Sequence, residues 1–244
     1  MALAAANPRL PTRTILGAIL GLAAALGIGV ALTWRGPDRL PRPDMVAVSF
    51  TGPLWVQRHE VTVADWNRCA KAGACDRALN APRGMDAVST PATGVNHPEA
   101  MQYVEWISAR THHPYLLPDM AEWSAMARDV VRFGADPIFD QPELDWASAY
   151  LLDARKSRAL MPSGAFSVSP EGVADLDGSV WEWTRDCHAG TAGPASLDRC
   201  SAYVVGGAHF AVMAWLERDP ARGGCAVGTP PAHLGLRLVT HVEP

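Results

Sequence analysis

The chain has 244 residues, 21 Lys+Arg against 25 Asp+Glu, a formal charge of −4 and 48% apolar residues. So even a balance provides no basic face for a phosphate backbone, and nucleic acid is excluded as a partner. About 200 residues beyond the N-terminal segment suffice for one domain with a substantial core.

In chain order, residues 1–13 carry Arg9 and Arg13 and are expected to be cytoplasmic, and Ile15 to Leu32 carries no charge. With Thr14, Thr33 and Trp34 this run approaches the roughly 30 Å of a bilayer's hydrocarbon core, and Trp34 falls where an interfacial aromatic belongs. Residues 14–34 are expected to form an uncleaved transmembrane anchor. A cleaved signal peptide, with Gly29-Val30-Ala31 as its processing site, is the competing reading. Either one exports the rest of the chain; the anchor reading makes it an inner-membrane protein with its C-terminal domain in the periplasm. Residues 35–44, with three prolines and mixed charge, read as an extended tether. Residues 45–244 form the domain.

Thr62 followed by Asp65 resembles a capping box and opens a helix through about Lys71, ending near Gly73. Asn96 caps a second helix, with Ala100, Tyr103, Val104 and Ile107 on one apolar face. Asp119 with Glu122 caps a third, with Met120, Trp123 and Ala127 as its inner stripe. The adjacent His112 and His113 cannot both face one metal easily and read as surface or turn residues. Gly172 to Asp186 contains an Asp-Gly turn and then Trp181-Glu182-Trp183, a strand sending aromatics to one face and a lone carboxylate to the other. Ala202–Val205 and Leu234–Thr240 are further strands. The whole is α+β and rich in loops.

Cysteines are five. Cys69 with Cys75, and Cys187 with Cys200, bracket short loops of a kind that disulfides close in an oxidising compartment; Cys225 is left over. Neither pair has Cys-x-x-Cys spacing. Five reduced thiols are the alternative.

Five segments in order resemble the formylglycine-generating enzyme family, also called the sulfatase-modifying factor domain, a variant of the C-type lectin-like fold. They are His59-Glu60-Val61-Thr62-Val63, Leu117-Pro118-Asp119-Met120-Ala121-Glu122-Trp123, Gly172 to Trp183, Gly206-Gly207-Ala208 and Leu234-Gly235-Leu236-Arg237. The resemblance implies that two thiols after the Gly-Gly turn should hold copper(I), a soft ion that requires thiolates. Those positions are Ala211 and Leu216, so copper-dependent oxidation of a substrate cysteine is not expected. The resemblance also implies calcium, and Ser179, the Val180 carbonyl and Glu182 are the candidate ligands. At a second calcium site, Ser148-Ala149-Tyr150 lacks the family's asparagine.

The resemblance puts His209 and Trp215 at the family's substrate groove, as candidate partner-binding residues. His209 could also move a proton near neutral pH, and Cys225 could act as a thiol; these two are the candidate catalytic residues. The expectation is an exported, membrane-anchored accessory protein that binds or helps to mature a periplasmic partner. The alternatives are an oxidoreductase or maturation enzyme using other residues, and a glycan-binding, lectin-like module.

Overall fold

The computed structural model describes residues 42–131, 159–188, 200–220 and 231–244. Residues 1–13, the apolar run 14–34, most of the tether, Ser148-Ala149-Tyr150 and Cys225 lie outside them. Among the described residues, no helix is long and apolar enough to cross a membrane.

The three helices among the described residues open on the signals that the sequence carries. Helix α1 (Val63–Lys71) is capped by Thr62, whose hydroxyl accepts from the Asp65 N–H while the Asp65 carboxylate accepts from the Thr62 N–H. Helix α2 (His97–Thr111) repeats the reciprocal pair with Asn96 and Glu99, and helix α3 (Met120–Ala127) with Asp119 and Glu122. Each box satisfies donors that a helix start would otherwise leave open. α1 leaves through Gly73, which adopts φ +74°, a conformation that glycine takes without the clash a Cβ would bring. α2 ends on His112 at φ 54°; its ring is exposed, whereas that of His113 is buried against the Thr240 hydroxyl at 3.1 Å. The expectation for His113 is corrected accordingly. In α3, Met126 is buried and Met120 is partly exposed, so the inner stripe is Trp123, Met126 and Ala127.

The described strands form two sheets. The first has the order β1 (Met45–Ala47), β2 (Trp55–Gln57) and β7 (Val239–Thr240), all antiparallel. The second has the order β5 (Phe210–Ala214), β4 (Ala202–Gly206), β3 (Val180–Cys187) and β6 (His233–Gly235). Within it β3 pairs antiparallel with β4 and parallel with β6. The expected single strand Leu234–Thr240 is therefore two strands in different sheets. The break falls at Leu236–Leu238, where Arg237 turns into the interior with no exposed surface.

The core gathers Val46, Val56 and Val239 of the first sheet with Leu54, Trp123, Met126 and Leu176. A second layer stacks Trp66 of α1 on Tyr103 of α2 at 5.8 Å between ring centroids. Both proposed disulfides are formed, Cys69–Cys75 and Cys187–Cys200.

Candidate functional site

Glu182 lies mid-strand in β3, buried on both faces of the sheet. Its register partners are Gly206 on β4 and Gly235 on β6. Glycine on both flanks clears the space over the carboxylate, and large side chains fill it. A Cβ on Gly206 would fall inside the Trp123 indole, so Trp123 lies flat over the glycine and reaches Glu182. Its Nε1 donates to Glu182 Oε2 at 2.9 Å.

The second oxygen meets Arg237. Arg237 Nε donates to Glu182 Oε1 at 2.9 Å, and Nη2 lies 2.8 Å from the same atom. The remaining guanidinium donors go to the carbonyls of Gln57, Arg58 and Ala174 at 2.7–2.9 Å. Burial works against the Arg237 charge, but Glu182 and Glu60 override it and raise its pKa above the ordinary value. Glu60 Oε2 stands 3.7 Å from Arg237 Nη2 without a hydrogen bond. Burial pushes the Glu60 carboxyl up to about 8, against the pull of Arg237 and with Glu182 and Asp175 adding to the rise. The Glu60 carboxyl is thus biased toward its protonated form, with Arg237 opposing. Asp175 accepts from the N–H groups of Gly164 and Phe166 and faces His59 at 3.5 Å. Burial alone would raise it, yet these partners hold it below the usual carboxylate range.

Ser179, Val180 and Glu182 do not fit a calcium ion. Both carboxylate oxygens of Glu182 are engaged by donors, one of them a cation; the Ser179 hydroxyl donates to the Ala159 carbonyl at 2.8 Å. Calcium needs six or more oxygens directed at one point, and a guanidinium already occupies the charged side of this one. Among the described residues, no group of three His, Cys, Asp or Glu side chains is placed to hold a metal. The sequence pointed to a cation at Glu182, and the structure supplies one from the chain itself.

The turn after β4 carries the remaining candidates. Gly207 leaves no room for a Cβ because the Trp181 indole covers it. The His209 ring meets Trp181 edge to face at 4.5 Å. Ala211 points inward from β5, paired with Val205, and Leu216 in the turn beyond β5 is exposed. Neither side chain has a donor atom and they face different environments, so these positions do not fit copper(I).

Trp215 is held by its backbone. Its N–H donates to the Ser201 carbonyl and its carbonyl accepts from the His97 N–H, both at 3.0 Å. Three residues on, Arg218 grips the buried Glu99 through Nε and Nη2 at 2.9 and 3.0 Å, while Arg77 Nε donates to the same carboxylate at 2.8 Å. Burial would raise Glu99, but the two arginines and the Asn96 N–H bring it down to about 2. The Trp215–Arg218 turn is thus anchored on the start of α2 while the Trp215 side chain remains open to solvent. Beneath it, His97 stacks on Tyr203 at 3.5 Å between centroids and its Nε2 contacts the Thr184 carbonyl at 3.2 Å. Burial lowers this imidazole to about 4.

The sequence named His209 and Trp215 but missed the ion pairs behind them. Arg237 was visible only as the end of a closing motif, and Glu99 was not singled out. Nothing in local spacing signals a partner more than fifty positions away.

Such a site defines an α+β scaffold of formylglycine-generating-enzyme type, braced internally by an ion pair. The model of the sulfatase-modifying factor enzyme 1-like domain matches residues 35–242, and the chain belongs to this family. The formylglycine-generating enzyme of Mycobacterium tuberculosis is 25% identical over 216 residues, covering 73% of this chain and 68% of its own. Among solved structures, CarF superposes with a TM-score of 0.52 at 18% identity, over 82% of this chain and 99% of that one. PvdO from Pseudomonas aeruginosa gives 0.52 at 21% identity, over 84% and 85%. At such identities the two structures establish the fold alone.

Proposed function

We propose that this chain is an exported, membrane-anchored member of the family that binds or helps to mature a periplasmic partner protein and does not oxidise a substrate cysteine through copper. One observation carries the reading: Ala211 and Leu216 stand where the family resemblance places the thiol pair, and neither supplies a donor. Two further features support it. The uncharged run 14–34 has the length of an anchor, and the Trp215 turn is a rigid, half-exposed aromatic surface. A preorganised aromatic loses little entropy on docking and suits a protein partner.

The test is photo-crosslinking from position 215 in the full chain, in its native envelope. The expected result is a discrete adduct with an exported protein, lost when the crosslinker is moved to exposed Val88. Equal adducts from both positions would overturn the assignment of this surface, and absence of the chain from the membrane fraction would overturn the anchoring.

A further inference from the structure

The two disulfides differ in their surroundings. Cys69 and Cys75 are buried, at 0% and 4% exposed, whereas Cys187 and Cys200 are each partly exposed. A disulfide exchanges only when a thiolate can reach one of its sulfurs, so a buried bridge persists where an exposed one is open to reduction. Their positions differ as well. Cys69–Cys75 closes the turn at the end of α1. Cys187–Cys200 ties the last residue of β3 to the residue two before β4.

That tie falls where the ladder between the strands is interrupted. The register of β3 on β4 runs through Glu182–Gly206 and Trp183–Val205, shifts, and resumes at Cys187–Tyr203. Beyond the shift, the His188 N–H donates to the Ala202 carbonyl at 2.9 Å. The neighbouring carbonyl, that of Ser201, accepts from the Trp215 N–H at 3.0 Å. Cys200 precedes Ser201 directly, so the bridge, the start of β4 and the Trp215 turn form one connected path. On its other side the turn is bound to the start of α2, through the His97 N–H and through Arg218 with Glu99. Those links involve no cysteine. Opening the bridge therefore frees one side of the turn and leaves the other attached.

We propose that Cys187–Cys200 is a redox-sensitive lock on the Trp215 turn, which holds the turn in order when oxidised and releases its Ser201 side when reduced by a dithiol. A thiolate of the dithiol attacks one sulfur of the bridge and displaces the other as a thiolate. The second thiol of the reductant then resolves the mixed disulfide. Two electrons pass to the cystine, each cysteine takes up a proton, and the dithiol becomes a disulfide. The consequence for binding rests on the assignment of Trp215 to a docking surface, because an aromatic that must be ordered on contact binds less well than one already held.

The test treats the full chain in detergent, in a Cys225→Ser background, with dithiothreitol near neutral pH, and locates alkylated thiols by peptide mass mapping. Cys187 and Cys200 are expected to be alkylated at least tenfold faster than Cys69 and Cys75. Hydrogen exchange at the Trp215 amide is expected to be at least tenfold faster in the reduced chain than in the oxidised one, with exchange in α1 unchanged. A variant with Cys187→Ala and Cys200→Ala should exchange fast at Trp215 without reductant and ignore dithiothreitol; if it does not fold, the reduced parent supplies the same measurement. Equal reduction of both bridges or unchanged exchange at Trp215 would overturn the proposal. So would a uniform rise in exchange across the chain, as from a bridge that only stabilises the fold. Photo-crosslinking from position 215 separates the lock from the docking surface. An adduct that falls at least fivefold on reduction supports both, and an equal adduct in both states overturns the control of binding by the lock. No adduct in either state overturns the docking surface, while the exchange data still decide the lock.

Discussion

Replacing Arg237 with methionine keeps much of the side-chain volume and removes the charge that meets Glu182. The variant leaves a buried carboxylate with the Trp123 indole as its remaining donor, and strips hydrogen bonds from the carbonyls of Gln57, Arg58 and Ala174. Removing one partner of a buried ion pair costs about 3–5 kcal/mol, because the other is left uncompensated. At about 2–4 °C per kcal/mol for a domain of this size, the melting temperature should fall by about 6–20 °C. Glu182→Gln is the informative comparison. The amide oxygen can still accept from Trp123 or Arg237, and Glu60, 3.7 Å from the guanidinium, can surrender its proton and take up the counter-charge. This exchange should cost about 1–2 kcal/mol. Thermal unfolding followed by circular dichroism at pH 7 measures both. A loss under about 1 kcal/mol for Arg237→Met, or a larger loss for Glu182→Gln than for Arg237→Met, would refute the placement of this pair at the centre of the fold.

Glu60 and His97 give opposite pH dependences. Between pH 4.5 and about 8 the folded chain keeps a proton on Glu60 that the unfolded chain has released. Its contribution to stability therefore falls as pH rises through that window, by at most about 1.4 kcal/mol per unit, and Glu60→Gln should flatten the slope. His97 is neutral in the folded chain down to about pH 4 while the unfolded imidazole gains its proton near 6.5. Its contribution is complete above 6.5 and is lost as pH falls toward 4, so His97→Gln should reduce acid sensitivity; melting temperatures measured from pH 4 to 9 resolve both. Gly206→Ala drives a methyl into the Trp123 ring. It should destabilise by about 1–3 kcal/mol in urea titration, against a few tenths for Gly52→Ala, where a Cβ meets nothing within 4 Å.

The helices were legible because capping is local: Thr62 with Asp65 and Asp119 with Glu122 are each three residues apart, and Asn96 stood as a cap whose box partner, Glu99, the structure added. The Trp181-Glu182-Trp183 alternation was legible as a strand for the same reason. The partner of Glu182 was not, since Arg237 arrives from a different strand region, and from sequence a buried carboxylate suggests a metal as readily as a guanidinium. That same arginine explains why Leu234–Thr240 read as one strand: its apolar neighbours continue the pattern while the buried charge breaks the ladder. Met120 read as core because helical spacing was counted from the first turn, whereas the face turned inward is that of Trp123, Met126 and Ala127. The turn at Gly206-Gly207 was visible as a motif, but its cause, one indole packed on each glycine, required the sheet.

The most direct test of the account is incubation of the full chain with copper(I) and a cysteine peptide that the Mycobacterium tuberculosis formylglycine-generating enzyme converts, with aldehyde formation read by mass spectrometry beside that enzyme as a control. With Ala211 and Leu216 at the ligand positions, no aldehyde is expected while the control reacts to completion. Copper-dependent aldehyde formation by this chain, retained after repurification, would contradict it.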